Sequence, residues 1–271
     1  MKWGNTEFHI WSPQPDPGQP EPFLKELASF LNLPPLDPKL LALAGLVLEL
    51  QVESETTMLR FLEQQPQGIY WDKVSRKHYL LSGTILAWRE LYLELKEQKI
   101  AKALLIFLCG LFEPLFKDLW PKHGIVPPIG INFRLLSQEE IAQLPLPLRL
   151  RHEYLLVSFK LAWLEVLELY QLGFKPVVLG AQEELLTPQP LAEETLETYQ
   201  RLLEEASPEE RPYLQPLAWA QKGFLYAPLL NYFALCTRAR AEGLFLQRAL
   251  PPLLAELRKR YPEPFGLLPE D

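Results

Sequence analysis

Polar residues set into apolar text are the first place to look for chemistry. His152, Glu165, Asn231, Tyr232 and Arg238 all stand in such text. Their side chains supply a proton donor or acceptor, an anion, an amide, a phenol and a fixed cation. Grouped in one cavity, they would form the polar lining of a ligand or cofactor site held between helices. A second group interleaves cations with rings: Tyr70, Trp71, Lys73, Arg76, Lys77, His78 and Tyr79. Rings stack on bases and cations neutralise phosphate, so this pattern suits single-stranded nucleic acid or a phosphorylated ligand. Arg149, Arg151 and His152 form a third group, where the pattern starts a helix. Positive charge at that end opposes the helix dipole and calls for a carboxylate or a bound anion nearby.

Other chemistries find no residues to carry them. No histidine has Glu three residues before it, and there is no HExxH. His152 and Glu153 are adjacent, so on a helix they point about 100° apart and do not chelate together. Glu165 and Glu168 share a helix face, where a solvated stripe is the plain expectation. No metal site is expected. Cys109 and Cys236 lie in apolar runs, which keeps thiols protonated and inert. GxSxG, GxGxxG and the P-loop pattern are all missing. No catalytic residue and no cofactor can be assigned.

The elements that would position these groups read as helices. The chain has 271 residues, with 59 Leu against 17 Ile and Val together. Leu favours helices and β-branched residues favour strands, so the expected class is all-α. Acidity is almost all Glu (29 against 5 Asp), which again suits helix surfaces. An extended Pro-rich arm over 1–22 is expected, because residues 12–22 contain five prolines. It would pack on its own chain or on a partner. Residues 23–271 then read as one all-helical globular domain, a layered bundle of about nine or ten helices. Runs apolar on nearly every side at 38–52, 99–116 and 147–172 predict its inner members. A sub-boundary is expected at 121–136, which has three prolines and two glycines. Ser137 and Glu140 spell a capping box, and Gly173 a helix stop. No fixed-period repeat is visible.

Net charge is -7, which repels phosphate at long range and disfavours a dedicated nucleic-acid binder. The apolar runs are too short to cross a bilayer, and nothing near Met1 resembles a secretory signal, so no membrane partner and a cytoplasmic location are expected. Only 4 Asn and 2 Met, beside much Pro and Glu, match a thermophile or a GC-rich genome. The function expected is a non-catalytic helical interaction protein, a subunit or accessory of a larger assembly with a protein partner or a second copy. The alternatives are a helical ligand- or cofactor-binding protein or enzyme with an internal pocket, and an accessory to nucleic-acid machinery using the 70–79 patch.

Overall fold

The computed structural model describes residues 2–4, 7–11, 25, 28–29, 44–64, 68–186, 201–202, 204–207, 219–242 and 250–268. Strands open the chain as β1 (Lys2–Gly4), β2 (Glu7–Trp11) and β3 (Gly45–Val52). Then come helix α1 (Glu55–Leu62), β4 (Tyr70–Ser75), β5 (His78–Thr84), α2 (Ile85–Leu95), α3 (Lys99–Leu111) and α4 (Glu113–Phe116). Strand β6 (Ile131–Leu135) precedes α5 (Gln138–Ala142) and α6 (Leu146–His152). Strand β7 (Tyr154–Ala162), α7 (Trp163–Gln171), β8 (Val177–Leu186), β9 (Trp219–Pro228), α8 (Leu229–Glu242), α9 (Pro251–Arg260) and α10 (Pro262–Phe265) complete the order.

This is a mixed α and β fold, not an all-α layered bundle of nine or ten helices. The chain divides into two compact units, Pro13–Tyr154 and Met1–Ser12 with Leu155–Asp271. The 121–136 segment lies within the first of these.

In the Pro13–Tyr154 unit, four antiparallel strands run in the order β4-β5-β3-β6. Leu46, Leu48, Leu50 and Val52 of β3 share one face by strand alternation, and all are buried. Met58, Phe61, Trp88, Leu91, Leu104 and Leu108, from α1, α2 and α3, are buried with them. Trp88 donates its indole N–H to the Gly83 carbonyl at 3.1 Å. Val47 and Leu80, on the opposite face, form a smaller cluster with Leu136 and Ile141. The expected inner helix over 38–52 is a strand over 45–52, and residues 38–43 lie outside the described residues. Within the described part, β3 starts apolar on both faces at Gly45-Leu46-Val47-Leu48 and then alternates, with Glu49 half-buried and Gln51 exposed opposite the buried Leu50 and Val52.

In the other unit, five strands run in the order β1-β8-β9-β7-β2. The described part of the N-terminal arm pairs with its own chain: β2 runs antiparallel to β7, and β1 parallel to β8, while the proline run at 12–22 lies outside the described residues. Glu7 lies opposite Lys160, and the two form an ion pair at 2.7 Å. The expected central helix over 147–172 is three elements instead: α6, β7 and α7.

The strands and helices named above follow one order in both units, with helical residues at 201–202 and 204–205 falling between β8 and β9. A strand and a helix precede two antiparallel strands and a second helix: β3-α1-β4-β5-α2 and β7-α7-β8-β9-α8. Strand neighbours match too, β4-β5-β3 against β8-β9-β7. The fourth position is filled antiparallel by β6 in one unit and by the N-terminal β2 in the other.

Local signals held where they were local. Ser137 Oγ accepts from the Glu140 N–H at 3.2 Å, and the Glu140 carboxylate accepts from the Ser137 N–H at 2.9 Å, a full capping box. Gly173 ends α7 at φ +86°, a conformation that favours glycine. Thr84 starts α2, its Oγ1 accepting from the Ala87 N–H at 3.2 Å. Thr84→Ala should lower stability by about 1 kcal/mol through this lost cap. Urea unfolding reads that change, and an unchanged midpoint would show the cap to be idle.

Candidate functional site

Strand alternation and register bring together residues distant in sequence. Asp72 of β4 sits opposite Leu80 of β5, and Tyr70 opposite Ser82, so Asp72 and Ser82 share one sheet face. His152 ends α6, which packs on these two strands. Its Nδ1 lies 2.8 Å from Ser82 Oγ, and its Nε2 lies 3.1 Å from Asp72 Oδ2. Arg151 donates to the other Asp72 oxygen at 2.7 Å. Ser82 and His152 are wholly buried, and Asp72 is half-buried.

Hydrogen-bond bookkeeping assigns the protons. A carboxylate only accepts, so His152 donates from Nε2–H to Asp72, and burial favours the neutral ring, with no proton on Nδ1. Its Nδ1 then accepts from the Ser82 hydroxyl. Burial pushes the His152 pKa below its ordinary value, and the Asp72 carboxylate opposes that shift. Hydroxyl, imidazole and carboxylate in series are the parts of a nucleophile, a base and its orienting group. Two features turn this series toward a structural role. Ser82 Oγ has no exposed surface from which a substrate could be attacked. Its hydrogen bond also ties α6 to the sheet, leaving every polar atom of the trio satisfied.

The arginines near His152 occupy the opposite helix end from the one expected. Arg149, Arg151 and His152 lie in the last turn of α6, where positive charge is favoured. Arg149 Nε donates to Glu153 at 2.8 Å.

The remaining pocket candidates belong to the other unit. Glu165 is buried at the first turn of α7 and accepts from the Ala162 N–H at 2.8 Å. Burial pushes its pKa up to about 7, and the neighbouring Glu168 adds to the rise. Glu168 is buried as well, so the expected solvated stripe of Glu165 and Glu168 is instead an interior one. The Tyr232 hydroxyl lies 3.0 Å from the Leu225 carbonyl and 3.1 Å from that of Leu155, and shares its one proton between them. Asn231 is half-buried on α8. Arg238 is exposed and reaches the Leu172 carbonyl at 3.4 Å. His152 thus stands with Ser82 and Asp72, while Glu165 and Tyr232 bond backbone groups of their own unit.

The basic-aromatic group is real as a hairpin, β4 and β5 joined at Arg76-Lys77, with Lys77 at φ +65°. Its residues do not converge. Tyr79 is buried in the core, Lys73 pairs with Glu55 at 2.7 Å, and Tyr70 and Trp71 lie on opposite faces of β4. Ser82 and Asp72 are the residues that sequence reasoning missed. Neither sits in a motif, and only the register of β4 on β5 aligns them. Among the described residues there is no group of three or more His, Cys, Asp or Glu able to hold a metal. No helix among them is long and apolar enough to cross a membrane. No protein-family model, no curated protein and no solved structure matches this chain.

Proposed function

We propose that this chain is a non-catalytic protein-interaction module, a subunit or accessory of a larger assembly working in the cytoplasm. It engages an extended segment of its partner along the β4 edge. One observation carries the reading. Among the described residues, strand β4 has a sheet neighbour on one side only, and it presents Tyr70, Trp71 and Val74 to solvent at 37%, 43% and 51% exposure. Unpaired main-chain groups on such an edge accept an added strand, and side-chain neighbours give selectivity. Tyr70 and Trp71 would flank the incoming strand from opposite faces of the sheet. The register shift after Lys73 and the Lys73–Glu55 ion pair interrupt the edge, which limits indiscriminate pairing.

A photo-crosslinking amino acid placed at Trp71 in the full chain tests this in cells. The expected result is one discrete adduct, to a partner or to a second copy. The same group at Leu93, exposed on α2, should give none. No adduct at Trp71, or the same adducts at both positions, would overturn the reading.

A further inference from the structure

The Pro13–Tyr154 unit also carries a groove of about 920 Å³ at the C-terminal end of α3, apart from both β4 and His152. Its size falls in the range that encloses a small organic molecule. Ile106, Cys109, Trp120 and Pro121 give it apolar walls, with Trp120 40% exposed. Burial pushes the Cys109 thiol pKa up, the Glu113 and Asp118 carboxylates (the latter paired with Arg89) add to the rise, and the neutral sulfur adds apolar surface.

Charge on the rim is lopsided. Glu113 and Lys117 pair with each other at 3.1 Å and largely cancel. Lys122 and His123 are exposed beside them, and neither has an ion pair among the described residues. Lys122 is thus the rim's uncancelled charge, a cation over apolar walls in a chain of net charge -7. A cation would meet Lys122, and an apolar neutral molecule would leave the rim without a counter-charge.

We infer that this groove binds an amphiphilic anion, an apolar or aromatic body carrying one carboxylate, sulfonate or phosphate head. The body lies against Ile106 and Trp120, and the head meets Lys122 and His123. Apolar burial supplies the affinity, and the rim supplies the choice of charge. This site is independent of the β4 edge and stands or falls without it.

Calorimetric titration of the full chain with decanoate and with decyltrimethylammonium tests the inference, since the probes share a tail and differ in head charge. Decanoate should bind at least about tenfold tighter, the difference expected of one charge-assisted contact. Lys122→Glu combined with His123→Glu should abolish that preference. Trp120→Ala should weaken both probes alike. The substituted positions are exposed, so far-UV circular dichroism should match the parent chain. Equal binding of the two probes, no binding at millimolar concentration, or an unchanged preference in the double variant would overturn the inference.

Discussion

His152→Ala is expected to cost about 3 kcal/mol of stability, from two sources that add. The imidazole is fully buried, so its loss leaves a void beneath α6. Its loss also strands the Ser82 hydroxyl without its acceptor, and takes one of the two side-chain donors from Asp72, where Arg151 remains. Ser82→Ala should cost less, about 1 kcal/mol, because it removes a donor and leaves only Nδ1 unsatisfied. The double variant should cost less than the sum, since the two residues share one hydrogen bond. Strict additivity would show that they do not act together.

The same residue sets a pH dependence. The folded pKa of His152 lies below its ordinary 6.5, so its contribution is fully present above that pH. It is lost as pH falls through the folded value, because the unfolded chain then binds the proton more readily. The gap between the parent and His152→Gln should therefore narrow on acidification from pH 7 to 5, as read by urea unfolding. A fluorophosphonate adds a chemical check: labelling of Ser82 in the folded chain would show a reactive nucleophile where the structure has an enclosed hydrogen bond.

Glu165 should produce the second large effect, with the opposite sign. Its carboxyl moves from an ordinary 4.5 to about 7 on folding. The folded chain therefore holds the proton more tightly, and stability falls as pH rises from 4.5 through 7. A shift of that size is worth at most roughly 3 kcal/mol. Glu165→Gln keeps an oxygen to accept from the Ala162 N–H and cannot ionise. The variant should match the parent near pH 5 and exceed it in stability at pH 8. A difference that stays constant across this range would mean that the buried carboxyl does not titrate there. The two residues load the two units in opposite directions, one weakened by acid and the other by alkali.

Legibility tracked the range of the interaction behind each feature. Helix ends were readable because a cap joins neighbours: Ser137 with Glu140, and Gly173 after α7. Helix α3 was readable because the run over 99–116 is apolar on nearly every side, as an inner helix is. The sheets were not, although the signal was present in Leu48-Glu49-Leu50-Gln51-Val52 and again in Val157-Ser158-Phe159-Lys160-Leu161, where apolar and polar residues alternate strictly. Leucine's helix preference hid them. That preference amounts to tenths of a kcal/mol per residue, and burial on both faces of a sheet outweighs it.

Partners followed the same division. His152 was singled out as a candidate for its chemistry, but Ser82 and Asp72 lie 70 and 80 residues away from it. Composition and local pattern determined by themselves that the chain buries a large leucine-rich interior, that one helix starts after Ser137 and that another stops at Gly173. Only the tertiary structure decided that the arm closes a sheet of its own chain, that β3 and β7 are strands, and that His152 is held between a serine and an aspartate. Caps and helical faces are settled among near neighbours, whereas strand pairing and a buried hydrogen-bond chain exist only once distant segments meet.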